Sequence, residues 1–260
     1  MLRRTMAGNN ELTGKRVLVT GASSGIGRAI AVGAARSGAD VVFTYFANEA
    51  GAGAVGSDIR DAGRRAVIVR ADISDAGDLA RLVDTARDAL GGVDVWINNA
   101  GADVLTGHGR LLSRREKLDL LIAVDLRGTM HASWAAADLM RDQREGGLII
   151  NMSWDRVLQG LAGENPELFS AVKGGVLSFS RSLARSLAPA IRVNVLGPGW
   201  IGTAFGDGAS EAFKQRIASQ IPLGRWGTPE EVAGAAVFLA SDAARHMTGQ
   251  LIMVNGGDVM

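Results

Sequence analysis

Side chains that could handle protons gather at three places in this chain. Lys173 lies in the apolar helical pattern Val172–Leu187, four residues after Phe169. The apolar run Ile149-Ile150-Asn151-Met152 leads into Ser153-Trp154-Asp155, and Asp125 lies within Val124-Asp125-Leu126-Arg127-Gly128. A carboxylic acid exchanges protons near neutrality only when burial raises its pKa. Trp154 and Phe169 are the apolar walls that could do this for Asp155, which makes it the first candidate acid or base. Glu164 and Glu167, just before Phe169, come second, and Lys173 is a third route if its ammonium meets substrate directly. Ser153 can orient an oxygen but does not titrate near neutrality. His108 is a lone loop histidine. The chain has no cysteine and a single tyrosine, Tyr45. Disulfides and thiolate metal sites are therefore excluded, and no metal site is expected.

A second kind of chemistry is written near the start. Thr20-Gly21-Ala22-Ser23-Ser24-Gly25-Ile26-Gly27 follows the apolar run Arg16-Val17-Leu18-Val19 and opens a helical pattern at Arg28. A strand, a glycine turn and a helix in that order make a phosphate cradle. Gly21 permits the turn, Gly25 and Gly27 allow close approach of a pyrophosphate, and the helix N-terminus supplies N–H donors.

The elements that must position these residues alternate. Strand patterns are expected at 16–20, 40–45, 66–70, 93–98, 147–152, 191–196 and 250–254. Helical patterns are expected at 25–37, 47–62, 75–90, 114–143, 167–188, 208–220 and 229–240. Strand–helix alternation implies an α/β fold, a Rossmann-type doubly wound parallel sheet with helices on both faces. Ligands then bind at the carboxyl ends of the strands, where Gly21, Asn98, Ser153 and Pro198 fall. The reading divides the chain into a tail, 1–11, and a single domain, 12–260, with a substrate lid near 204–225.

Further motifs follow in order: Asn98-Asn99-Ala100-Gly101, Lys173, Pro198-Gly199-Trp200-Ile201-Gly202-Thr203, Thr248-Gly249-Gln250 and Val254-Asn255-Gly256-Gly257. Together with the glycine turn, they make residues 12–257 resemble the short-chain dehydrogenase/reductase family. The resemblance implies an oxidoreductase with a nicotinamide cofactor. It assigns cofactor contacts to Gly21, Ser23, Ser24, Gly25, Ile26, Gly27 and Arg28, to Tyr45, Asp72 and Ile73, and to Asn99, Ala100 and Gly101. Lys173, Pro198, Gly199, Ile201 and Thr203 complete that set. Asp72 takes the adenine amino group by this analogy; its structural alternative is a helix cap, which Ser74 or Asp75 fills better.

The family moves its proton with a tyrosine, a lysine four residues later, a serine at the end of the fifth strand and an asparagine in the preceding long helix. Hydride transfer to a carbonyl develops an alkoxide that must be protonated. By resemblance Lys173 is the lysine, Phe169 stands at the tyrosine position, Trp154 at the serine position with Ser153 just before it, and Asp125 at the asparagine position. Each departure also has a structural explanation: Phe169 filling an unused pocket, Trp154 packing, and Asp125 forming an ion pair with Lys173. Trp200 either roofs the substrate pocket, with Trp154 and Phe169, or packs against the segment 204–225.

NAD preference needs a carboxylate at the end of the second strand. Here that segment reads Val41-Val42-Phe43-Thr44-Tyr45-Phe46, with no acid until Glu49. NADP(H) is therefore expected over NAD(H). With 28 basic and 27 acidic residues, bulk charge recruits neither nucleic acid nor a membrane surface. No apolar run is long enough to span a bilayer, and no secretory signal is read at the start. A cytoplasmic protein is expected, acting on a small substrate with an apolar or aromatic part. The resemblance implies a homotetramer; Leu118, Ile122, Leu126 and Met130 are spaced for one apolar face. Three functions stay open: an NADP(H) oxidoreductase with an altered proton relay, a non-redox dehydratase, isomerase or cyclase using Asp155 or a glutamate, and a catalytically silent subunit.

Overall fold

The computed structural model describes residues 11–141, 143 and 146–260. The expected tail lies outside these residues except for Glu11, which falls in a turn. Seven strands form one parallel sheet: β1 (Arg16–Val19), β2 (Asp40–Tyr45), β3 (Ala66–Arg70), β4 (Val95–Asn98), β5 (Gly147–Met152), β6 (Ile191–Pro198) and β7 (Leu251–Val254). Their order is β3-β2-β1-β4-β5-β6-β7. The chain reverses direction across the sheet between β1 and β4, which opens a crevice at their carboxyl ends.

Among the described residues there are nine α-helices: α1 (Gly25–Arg36), α2 (Glu49–Asp61), α3 (Ala76–Leu90), α4 (Arg114–Leu121), α5 (Thr129–Arg141), α6 (Glu164–Leu187), α7 (Ala204–Asp207), α8 (Glu211–Ala218) and α9 (Pro229–Ala240). Two apolar cores lie on opposite faces. One joins α1, α2 and α9 to Val17, Val19, Val41 and Phe43. The other joins α3, α5 and α6 to Leu18, Val42, Trp96 and Ile149. Alternate residues of β1 to β6 feed the two cores, as a sheet buried on both faces requires. A third, smaller cluster of Val104, Leu121, Leu168 and Val172 sits beneath the loop after β4.

Local chemistry sets the helix ends. Asp75, rather than Asp72, caps α3 by accepting from Asp78 N, and Gly91 ends it in the left-handed region at φ 74°. Capping boxes start α4 (Ser113 with Glu116) and α9 (Thr228 with Glu231, Pro229 following). The helix expected over 114–143 is interrupted by a π-helical segment, Ile122–Gly128, between α4 and α5. Asp125 lies in it, and Gly128 packs where a Cβ would sit 3.1 Å from Ile73 O. The helix expected over 208–220 forms as α8, Glu211–Ala218, and the short α7, Ala204–Asp207, precedes it outside the expected range. Ser210 separates them by capping α8 through Phe213 N.

Candidate active site

The glycine turn after β1 is built on two threonines and an asparagine. Thr44 Oγ1 accepts from Gly21 N at 2.9 Å. Thr20 Oγ1 accepts from Asn99 N and Ala100 N, both at 3.0 Å. Asn99 Nδ2 donates back to Thr20 O at 3.1 Å and Gly21 O at 2.9 Å. The glycines serve different ends. A Cβ on Gly21 would meet Ala100 Cα at 2.7 Å, and one on Gly27 would collide with Gly21 O and Asn99 Nδ2. Gly27 is thus required for packing within the turn rather than for ligand approach. Gly25, at φ 55°, has only Thr203 Cγ2 in front of it, at 3.7 Å. Ser24, the N-cap of α1, makes no side-chain cap bond. The first N–H groups of α1 consequently face open space, the arrangement a pyrophosphate fits.

That opening is one end of a cleft of about 2010 Å³. Gly21, Ser23, Ser24, Gly25, Ile26, Gly27 and Arg28 line it, as do Asp72, Ile73, Asn99, Ala100, Gly101, Lys173 and Thr203. Asp72 holds its loop through Oδ1, which accepts from Ser74 N and Ser74 Oγ at 2.8 and 2.7 Å. Arg28 reaches Asp58 at 3.0 Å. Asp58 lies ten residues beyond the α2 cap Asn48, roughly 15 Å along the helix, so this side chain points away from the end of β2.

Other expected contacts lie elsewhere. Tyr45 packs against the α1/α2/α9 core, while Thr44, Phe46, Ala47 and Asn48 line the cleft. Strand alternation makes the choice, since Thr44 and Phe46 share the face opposite Tyr45. That signal was present in the sequence. Pro198, Gly199 and Ile201 are not among the lining residues. Ile201 is pinned by a bridge to Gly227, and a Cβ on Gly199 would touch Asn255 Cβ at 2.7 Å. Trp200 does not join Trp154 and Phe169. Its ring packs on Trp226 at 5.3 Å and on Phe213, within the segment 204–225, at 5.7 Å.

The other end of the cleft holds Asp125, Phe169 and Lys173. Asp125 Oδ2 lies 2.8 Å from Lys173 Nζ, and the two side chains keep only 2% and 11% of their surface exposed. Asp125 Oδ1 accepts from Ala102 N at 2.7 Å, and Lys173 Nζ also donates to Met152 O at 3.4 Å. A second rung, Lys117 Nζ to Asn165 Oδ1 at 3.3 Å, joins α4 to α6 eight residues earlier on each. The two helices therefore run in the same direction with matched register. Ser153 Oγ donates to Lys173 O at 2.8 Å. The Trp154 and Phe169 rings stand 6.3 Å apart.

Asp155 is 1% exposed and does not line this cleft. Its Oδ2 accepts from Asn255 Nδ2 at 3.3 Å, and its Oδ1 has no partner. Burial pushes its carboxyl up to about 6, against the lowering effects of Asn255 and Arg156. Asp258 adds to the rise and is itself ion-paired with Arg156. Glu164 and Glu167 are exposed, the latter paired with Arg114, and His108 is exposed. Residues of the cleft that the sequence reading missed include Asp103, Leu105, Leu120 and Val124. Only the loop after β4 carried a positional hint of them.

A family model described as "Enoyl-(Acyl carrier protein) reductase" matches residues 21–258. An L-rhamnose 1-dehydrogenase (NAD(P)(+)) of Azotobacter vinelandii is 40% identical over 252 residues, 95% of this chain and 97% of that protein. The chain belongs to the short-chain dehydrogenase/reductase family. Another member, the 3-oxoacyl-[acyl-carrier-protein] reductase FabG of Staphylococcus aureus, is 36% identical, covering 95% of this chain and 98% of its own. Among solved short-chain dehydrogenases, one from Serratia marcescens superposes with a TM-score of 0.85 at 33% identity, covering 95% and 99% of the two chains. One from Burkholderia cenocepacia in complex with NADP superposes with a TM-score of 0.84 at 34% identity, with the same coverage. The family's relatives are oxidoreductases, and the seven-stranded parallel sheet found here is their fold.

Proposed function

We propose that this chain is an NADP(H)-dependent oxidoreductase that transfers hydride between the nicotinamide and a carbonyl or alcohol carbon, with Lys173 handling the proton. Phe169, Trp154 and Asp125 stand in the places of the family's tyrosine, serine and asparagine. The observation that carries the reading is the buried Asp125–Lys173 pair opening on the same cleft as the uncapped N-terminus of α1. Bound there, the cofactor supplies hydride. Gly25, Thr203 and the first turn of α1 would hold its pyrophosphate, and Asp72 would take its adenine. Asp125 aims the Lys173 ammonium by pairing with it at 2.8 Å. Phe169 and the leucines beside it exclude water.

NADP(H) is favoured because Thr44, Phe46, Ala47 and Asn48 place no carboxylate against a 2′-phosphate. Arg28, turned to Asp58, is not needed for this reading. Asp155 faces the C-terminal turn, so the non-redox reading built on it has no observation in its favour. We further propose a single domain over 12–260, a lid formed by 204–225, a cytoplasmic location and a homotetramer. The apolar side chains Ile122 and Trp134, 39% and 45% exposed, are surface that a two-fold partner would cover. No helix among the described residues is long and apolar enough to cross a membrane.

The test is a tryptophan-fluorescence titration with NADPH and NADH separately, Trp154 being the reporter nearest Phe169. Saturable quenching, stronger with NADPH, is expected. Absence of quenching by either would exclude a dinucleotide site. Loss of nicotinamide absorbance during turnover then separates redox from non-redox chemistry.

A further inference from the structure

We infer that the substrate end of the cleft is matched to a protonated carbon–nitrogen double bond, a small cyclic iminium, in preference to a neutral ketone. The inference rests on the hydride-transfer reading above and narrows its substrate class.

The argument is one of charge. When hydride reaches a ketone carbon, the C=O π pair moves to oxygen, whose charge falls from zero to minus one. That oxygen needs strong donors in place. Here they are scarce. Ser153 Oγ is committed to Lys173 O at 2.8 Å. Positions 154 and 169 carry aromatic rings, and the single tyrosine packs away from the cleft. Lys173 has three N–H groups, of which Asp125 Oδ2 and Met152 O take two. One N–H remains.

An iminium makes no such demand. Hydride and its electron pair form the C–H bond, and the C=N π pair withdraws onto nitrogen. Nitrogen goes from plus one to zero, and the neutral amine takes its proton from water after release. No anion develops, and no phenol is required.

The lining also suits a cation. Among the described residues, the charged ones at this end are Asp103, Asp125 and Lys173, two carboxylates against one ammonium. Hydrogen bonds from Thr106 and Leu105 hold Asp103 below the usual carboxylate range, outweighing a larger opposing effect of burial. The Phe169 ring borders the space, with Leu105 and Leu120 around it. An aromatic ring attracts a cation through its quadrupole, and apolar walls favour a compact hydrocarbon ring.

The experiment compares methylpyrroline, a cyclic imine, with methylcyclopentanone, its size-matched ketone, as oxidants of NADPH. The imine is expected to react faster by on the order of 10²-fold, the cost typical of a missing oxyanion donor. Its rate should fall as pH rises past the imine's own pKa. A second readout needs no turnover. Calorimetry on the NADP⁺-loaded protein should show methylpyrrolidine, cationic at neutral pH, binding more tightly than neutral methylcyclopentanol. Ketone reduction as fast as imine reduction, or equal binding of cation and alcohol, overturns the inference and leaves the oxidoreductase reading in place. Failure of NADPH to quench fluorescence removes both.

Discussion

Asp125 and Lys173 meet at 2.8 Å across two co-directional helices, and the carboxylate spends its other oxygen on Ala102 N. One buried acid thus ties the loop after β4, the π-helical segment and α6 into a single unit. Breaking a buried pair by removing one partner leaves an uncompensated charge. Asp125→Ala should lose about 3–5 kcal/mol of stability in chemical denaturation. Asp125→Asn retains the acceptor for Ala102 and should lose less. Equal losses would mean that the charge, which both variants remove, carries the whole effect and the Ala102 bond none of it.

Phe169→Tyr places a phenol four residues before Lys173, on the wall of the cleft. If the hydroxyl is the missing part, ketone reduction with NADPH should rise by on the order of 10²-fold, the usual contribution of a positioned acid. Steady-state rates on a panel of small ketones measure this. No gain would show that Trp154, 6.3 Å from the ring, blocks the ketone pose as well.

Asp155 should make stability depend on pH. Its folded pKa of about 6 exceeds the reference value of 3.8, so the folded state holds the proton more tightly. The stability it contributes is complete below 3.8 and is lost as pH rises through about 6. A shift of about 2 units corresponds to ~3 kcal/mol. Asp155→Asn removes this dependence. Relative to the parent, the variant should gain up to ~3 kcal/mol between about pH 4 and about pH 7. Parallel unfolding curves at the two pH values would show no shifted carboxyl.

Two glycine substitutions should separate folding from binding. Gly25→Ala costs the left-handed conformation, about 1–2 kcal/mol, and puts a methyl group into the cleft, where nothing but Thr203 stands in front. It should melt a few degrees lower and bind NADPH poorly. Gly27→Ala drives a methyl group into Gly21 O and Asn99 Nδ2, so the turn itself should give way, with a larger fall in Tm. Thermal melts paired with NADPH titration distinguish the two.

The strands and helices could be read because two-residue and 3.6-residue periods are written locally. The interruption at 122–128 could not. What shapes it is tertiary, Asp125 against Lys173 and Gly128 against Ile73, and no local pattern writes those contacts. The glycine turn and its asparagine partner were legible as motifs. The reason for Gly27 was not, because it depends on Asn99, which is distant in sequence. Asp155 shows the same limit from the other side. The apolar walls expected for it, Trp154 and Phe169, lie near it in sequence, but its direction is set by Asn255, a hundred residues away. Tyr45 and Thr44 differ by a single step along β2, and that step decides which side chain faces the crevice.

On the function proposed, the sheet order assigns the two tasks of the molecule to opposite flanks. Dinucleotide recognition falls to β1, β2 and β3, and the reacting end to β4, β5 and α6. At the switch point they are clasped by Thr20, Asn99 and Ala100, whose bonds run mainly through backbone groups and one hydroxyl. Replacements at 125, 154 and 169 do not touch that clasp. Descent with modification could therefore rewrite the reaction on one flank while the other went on accepting the same coenzyme, and a protein engineer could do the same.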